Sequence, residues 1–260
     1  MNPAERKHSP RTALIAVLLL SVIPLASCGS GKHDAGTDKA ASRASVAPET
    51  AVVVRIGTTL ITGAMYDHWM TIGAATVEKP KPNGSLPKPV PYEPPKFTAC
   101  VARLRDKTRQ ATPVAPLQAE CKATYEGIQD RILSFLITGY WLRGEAAEKG
   151  LSVSVAEVKK KFDEEKRENY PTAASFRRLQ EASKQTIPDL EFAIETQMLS
   201  TKLLGHFAAE HGEEKYEEAA VPGFNKSIRA KWRPRTSCQP GYVVPDCKQY
   251  KEPLNAKPTK

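Results

Sequence analysis

The stretch LQAECKATYEGIQDRILSFLITGYWLRGEAAEKG, residues 117–150, predicts one long helix that decides the fold. Its apolar or small residues recur every three or four positions and therefore share one helix face. They are Leu117, Cys121, Tyr125, Ile128, Ile132, Phe135, Gly139, Leu142 and Ala146, and five more widen the face in the middle third: Leu133, Leu136, Ile137, Tyr140 and Trp141. A helix this apolar is covered from more than one side. Either it is a plain core element, or part of its face stays open to hold another polypeptide.

Shorter segments before and after this helix supply its packing partners. The runs AVVVRI at 51–56 and TLI at 59–61 flank Gly57-Thr58, which predicts two short strands joined by a tight turn. Periodic apolar residues predict further helices, with Thr62, Ser154 and Thr172 as the expected caps of three of them. Those helices are expected at residues 63–75, 97–107, 155–170, from 173, at 188–212 and at 224–232. We therefore expect a mainly α fold with a small N-terminal β-hairpin or strand pair.

The N-terminus has the features of an export signal. A positively charged stretch, residues 1–11, precedes an apolar run at 12–25 that is too short to span a membrane as a helix. The sequence Leu25-Ala26-Ser27-Cys28 follows and resembles the lipobox of bacterial lipoproteins. This resemblance implies cleavage before Cys28, a diacylglycerol on its sulfur, and anchoring at the extracytoplasmic face of the bacterial cell membrane. The alternative is an ordinary secretory signal in which Cys28 occurs by chance.

Composition divides the chain further. Residues 1–27 form the predicted signal peptide, and residues 28–50, rich in small and polar residues, are expected to form a flexible tether. The helical domain is expected over residues 51–232, with a Pro-rich insertion at 79–96 that predicts an extended surface loop. Residues 233–260 are expected to form a C-terminal disulfide loop and a polar tail.

The five cysteines predict two disulfides. With Cys28 reserved for lipid, four remain in an oxidising compartment, and an even number favours disulfides. Four cysteines permit three pairings, of which we favour the one between sequence neighbours, Cys100 with Cys121 and Cys238 with Cys247. A zinc site is the rival interpretation, but the cysteines lack the close CxxC spacing of zinc ligands. Peptide mapping without reduction decides between them.

Charge and sequence motifs limit the classes of partner and of enzyme that fit this sequence. A net charge of +9 suits anionic lipid, acidic polymers or nucleic acid. The basic residues are interleaved with acidic ones, however, and no nucleic-acid-binding motif is present, so we expect no nucleic-acid partner. The sequence also lacks a P-loop, a GxSxG or HExxH motif and a glycine-rich dinucleotide motif. We therefore predict no catalytic residue, no cofactor and no metal ion.

Three segments, residues 52–62, 132–166 and 189–204, resemble in their order the N-terminal chaperone domain of SurA and the PrsA-type foldase lipoproteins. The passage EAAEKGLSVSVAEV at 145–158 carries most of the likeness. The resemblance implies an extracytoplasmic helical module that holds unfolded polypeptides. Many family members insert a parvulin-type prolyl isomerase domain after the helix that matches 189–204. Here only about thirty residues separate Leu204 from Lys231 and Trp232, roughly a third of what such a domain needs, so no isomerase residue is carried over.

The predicted function is that of a membrane-anchored chaperone that binds unfolded or nascent secreted polypeptides without ATP. Its contact residues are expected to be Met, aromatic or other large apolar side chains that adapt to varied partners, namely Met65, Trp69, Tyr140, Trp141, Met198 and Leu199. The strand at 52–56 is expected to offer its backbone edge as well. Two alternatives stay open: a divergent prolyl isomerase, which a prolyl-peptide assay separates, and a non-catalytic lipoprotein that binds envelope polymers, which salt-sensitive binding to cell wall separates.

Overall fold

The computed structural model describes residues 50–77, 89–108, 111–212 and 220–252, which form seven α-helices and three short strands. The strands are β1 (Val52–Ile56), β2 (Thr59–Thr62) and β3 (Thr236–Cys238). The helices are α1 (Gly63–Thr76), α2 (Thr98–Thr108), α3 (Val114–Glu148), α4 (Val155–Asn169), α5 (Ala173–Ser183), α6 (Ile187–Glu210) and α7 (Ala220–Trp232), and a 3-10 turn, Arg233–Arg235, follows α7. The expected fold class, mainly α with a small sheet, is confirmed. The predicted signal peptide, Cys28, the tether up to residue 49 and residues 78–88 of the Pro-rich stretch lie outside the described residues.

Local sequence signals set the ends of the helices. The Thr62 hydroxyl accepts a hydrogen bond from the Met65 amide at 3.3 Å and caps α1. Gly150 has φ +66°, the left-handed conformation that ends α3. The long helix begins at Val114, three residues earlier than the sequence analysis expects. Pro116 permits this because it lies in the first turn, where backbone amides have no intrahelical partner.

Helix α3 lies at the centre of the main core, with α1, α6, α7 and the sheet packed around it. Three glycines set the spacing. A Cβ atom on Gly73 of α1 would lie 2.7 Å from an isoleucine of α3, one on Gly139 would lie 2.7 Å from Phe192 Cζ, and one on Gly144 would lie 2.2 Å from Trp232 Cη2. The missing side chain at each position lets two elements approach more closely than any larger residue permits.

The sheet has the strand order β2-β1-β3, and both outer strands run antiparallel to β1. The expectation that Val52–Ile56 offers a free backbone edge is therefore wrong, because the C-terminal part of the chain returns and pairs with that strand. The side chain of Gln249 covers the outer side of β3: it accepts from the Cys238 amide at 3.2 Å and donates to the Cys238 carbonyl at 3.0 Å. The three residues of β3 carry no strand pattern of their own, so the sequence did not predict it.

The expected disulfides, Cys100–Cys121 and Cys238–Cys247, are both formed, and they lie in different cores. The first joins α2 to α3 in a small apolar cluster separate from the main core. The second lies in the main core together with Val244. The C-terminal segment is thus integrated into the helical domain as far as the second disulfide.

A third apolar cluster joins α4 and α5 to α6. Its buried members are Val158, Phe162, Phe176, Leu190 and Ile194. Glu165 of α4 is also buried, with 7% of its surface exposed, and burial raises the pKa of its carboxyl group. The cluster holds α4 and α5 on the side of α6 that faces away from α3, so α6 connects the two apolar layers.

We predict that Gly144→Ala destabilises the fold by about 1–3 kcal/mol, because the new methyl group overlaps the Trp232 ring and forces α7 away from α3. The matched control is Gly127→Ala on the same helix, where no atom lies within 4 Å of the new Cβ. There we expect a gain of about 0.5–1 kcal/mol from helix propensity. Urea unfolding measures both, and a Gly144→Ala protein as stable as wild type contradicts the packing argument.

We predict that removing the first disulfide loosens only α2, whereas removing the second loosens the main core. Replacing Cys100 and Cys121 by Ser costs about 3 kcal/mol in the chain-entropy model and frees α2, while the main core stays protected. Replacing Cys238 and Cys247 by Ser loosens the main core itself, since both sulfurs lie within it. Hydrogen exchange measured by peptide separates the outcomes: fast exchange confined to residues 98–108 in the first variant, and exchange in β1 and β3 in the second. The same exchange pattern in both variants contradicts the separation into two cores.

Candidate polypeptide-binding face

Four half-buried apolar side chains meet where α1, α3 and α6 come together. They are Met65 of α1, Phe135 and Tyr140 of α3, and Phe192 of α6, and we call them the aromatic patch. The Phe192 ring centroid lies 5.5 Å from that of Phe135 and 5.7 Å from that of Tyr140. The Tyr140 hydroxyl donates to the Met65 sulfur at 3.6 Å. These contacts leave part of each side chain at the surface.

The backbone brings these residues together through helix direction and glycine spacing. Gly73 lies beside the middle of α3 and Met65 beside Tyr140, so α1 runs antiparallel to α3. Gly139 allows Phe192 to lie directly against the α3 backbone. The buried Trp69 ring lies behind the patch, 5.0 Å from Phe135 and 5.8 Å from Phe192 between centroids. Rings at these distances and tilts are favourably packed, so the patch is held in place from beneath.

A cation and a carboxylate border the patch at one end. The Arg143 guanidinium lies 4.6 Å from the centroid of Phe192 and 5.5 Å from that of Tyr140. It also makes a two-point ion pair with Glu195, with Nε donating to Oε1 at 3.1 Å and a second, shorter bond from the terminal nitrogen to Oε2. Stacking and a bidentate pair together restrict the arginine more than either does alone. The border is therefore polar and ordered.

A second polar contact joins α1 to the start of α6. Nε2 of His68 lies 2.8 Å from Oδ1 of Asp189. The other carboxylate oxygen of Asp189 accepts from the amide and the hydroxyl of Thr186, both at 2.7 Å, which completes the cap of α6. Asp189 thus both caps the start of α6 and contacts α1. The His68 ring lies 6.2 Å from that of Trp69 between centroids, so this contact is close to the patch.

Three of the six predicted contact residues are buried in the structure, and three are partly exposed. Trp69, Trp141 and Leu199 are core residues with 4%, 2% and 3% of their surface exposed, so they present no binding surface. Met65 and Tyr140 are partly exposed and touch each other. Met198 is also partly buried, but it packs against the cluster of α4, α5 and α6, away from the patch.

Sequence reasoning did not select Phe135 or Phe192 as contact residues. Phe135 belongs to the main stripe of the long helix, which hid its partial exposure. Phe192 lies outside the apolar stripe formed by Leu190, Ile194 and Met198 on the same helix. A large aromatic residue off the stripe indicates a second buried face, and this was the available signal.

Within the described ranges, no group of three or more His, Cys, Asp or Glu side chains is arranged to hold a metal ion. No helix in that part of the chain has both the length and the apolar character that crossing a bilayer requires. The patch itself combines adaptable apolar groups with paired charges, and this chemistry suits burial of apolar side chains from a partner.

No family model, curated protein or solved structure matches the chain. A functional assignment therefore depends on the geometry of the patch and on the sequence signals at the N-terminus.

Proposed function

We propose that the protein is an extracytoplasmic, lipid-anchored chaperone that binds unfolded secreted polypeptides without ATP. The observation that carries this proposal is the aromatic patch: one thioether and three aromatic rings from three different helices, all partly exposed at one place. Burying such side chains against apolar segments of a client is favourable regardless of the client's sequence. Thioether and aromatic groups also accommodate partners of different shape.

The polar groups around the patch are engaged with one another, which suits a binding surface. Arg143 is paired with Glu195, and His68 with Asp189, so both pairs are engaged in holding helices together. Paired polar groups at the border keep the surface soluble while the apolar centre contacts the client. The resemblance to SurA and PrsA-type proteins points to the same activity. Only nine residues, 211–219, separate α6 from α7, which leaves little room for the isomerase domain of many such proteins.

The N-terminal sequence supports a location at the outer face of the membrane. The lipobox-like Leu25-Ala26-Ser27-Cys28 directly follows an apolar run of signal-peptide length. A lipid on Cys28 would hold the chaperone where secreted chains emerge. The two disulfides, Cys100–Cys121 and Cys238–Cys247, suit an oxidising extracytoplasmic compartment.

We predict that the double substitution Met65→Ala and Tyr140→Ala weakens suppression of aggregation. A half-buried apolar side chain contributes on the order of 1 kcal/mol to binding, so the half-maximal concentration is expected to rise about fivefold or more. The measurement is light scattering of a denatured client as it is diluted into increasing amounts of the protein.

The matched control is Met198→Ala with Tyr170→Ala, which removes the same two residue types from partly buried positions around the cluster of α4, α5 and α6. Equal loss in both double variants contradicts binding at the patch. No suppression by wild-type protein at stoichiometric excess defeats the proposed function itself. Circular dichroism confirms that each variant remains folded.

We predict that growth on a radiolabelled fatty acid labels the wild-type protein, and that Cys28→Ala abolishes the label, because the thiol is the attachment point. Equal labelling of the two proteins, or no label in either, would contradict the lipid anchor. Cys100→Ala serves as the control: its thiol forms a disulfide, so this change leaves the label in place.

A further inference from the structure

The outer face of the sheet carries one exposed row of side chains. Arg55 of the central strand lies directly opposite Leu60 of β2 and Ser237 of β3, and directly opposite residues point to the same face of a sheet. Arg55 is exposed, and Leu60 has 38% of its surface exposed. The rows on either side point inward: Val54, Ile61 and Cys238 are buried in the main core, as are Ile56 and Thr236. This row is thus the part of the sheet that faces away from α3.

Further basic residues surround the row. The backbone carbonyl of Arg235 accepts from the Gly57 amide at 3.1 Å, which places Arg235 beside the turn between β1 and β2. Lys248 donates its amide to the Thr236 carbonyl at 2.9 Å and lies on the other side, next to β3. Both residues are exposed, but the Arg235 guanidinium is paired with the Glu148 carboxylate at 2.7 Å, so Lys248 is the flank that counts here. An arginine at the centre, a lysine on one flank and an exposed leucine suit an anionic surface with apolar depth.

We infer that this outer sheet face docks on the surface of an anionic membrane, and the inference rests on the proposed lipid anchor at Cys28. The chain between Cys28 and the sheet is short, and it enters the described structure at Thr50, directly before β1. The 21 residues that separate Cys28 from Thr50 limit how far the sheet can lie from the anchoring lipid. The sheet is the described element closest to the anchoring lipid along the chain, and the charge of Arg55 and Lys248 is opposite to that of anionic headgroups.

Docking in this orientation leaves the aromatic patch accessible. The inner face of the sheet packs against α3, as shown by the Trp141 indole, which donates to the Thr236 hydroxyl at 2.8 Å. The patch lies on the helical side, where Tyr140 and Phe192 meet. The sheet faces the membrane while the helices face the compartment into which secreted chains emerge.

The test uses the chain from residue 28 onward with Cys28→Ala, so that no lipid contributes to binding. Binding is measured by co-sedimentation with vesicles of phosphatidylcholine alone and of phosphatidylcholine with 30% phosphatidylglycerol. We expect binding to the anionic vesicles only. A basic residue near an anionic surface accounts for about fivefold in affinity. Arg55→Glu with Lys248→Glu is therefore expected to weaken binding by about tenfold or more.

The matched control is Lys160→Glu with Arg167→Glu on the exposed side of α4, which changes the net charge by the same amount. A control loss of less than about twofold supports docking by the sheet. Equal losses in both double variants, or no preference of the parent chain for anionic vesicles, overturn it. Binding to soluble heparin without binding to vesicles also overturns it, in favour of an acidic polymer. If Cys28 takes up the fatty-acid label but the chain does not bind anionic vesicles, this inference is wrong and the proposed anchor still stands.

Discussion

The close approach of neighbouring helices to α3 is the constraint on which the rest of the structure depends. Gly73 admits α1 to α3, Gly139 admits Phe192 of α6, and Gly144 admits Trp232 of α7. The third contact is reinforced by a buried bond, since the Trp232 indole donates to the Glu145 carboxylate at 2.9 Å. Because interiors are close-packed, the positions of three helices follow from these contacts.

The aromatic patch is a consequence of the same packing. With α1 and α6 both drawn against α3, side chains at their junction are too large to be covered completely, and Met65, Tyr140 and Phe192 remain partly at the surface. A polar pair at either end, Arg143 with Glu195 and His68 with Asp189, completes the junction. The partly exposed apolar surface thus comes from residues that also stabilise the domain.

Much of the fold can be predicted from sequence patterns that span only a few residues. The long helix, its end at Gly150, the capping box at Ser154 and the strand pair all follow from signals within a few residues. The disulfide pairing follows from cysteine count and separation. The strand β3 and the central position of β1 are not readable in this way, since the pairing joins residues about 180 positions apart and short-range patterns do not encode such contacts. The candidate site was predicted only in part: the sequence pointed to Met65 and Tyr140 as contact residues but not to Phe192.

By itself the sequence determined the helices, their caps and the apolar width of the residue 117–150 segment, because periodicity and capping are properties of neighbouring residues. It also contains the lipobox-like Leu25-Ala26-Ser27-Cys28, on which the proposed export and lipid anchor depend. Only the tertiary structure decided which part of that width remains exposed. Trp69 and Trp141 have the same local character as Tyr140, yet they are buried while Tyr140 is not. The difference arises from which elements cover each side chain, and that depends on how closely α1, α6 and the returning C-terminal strand approach the central helix.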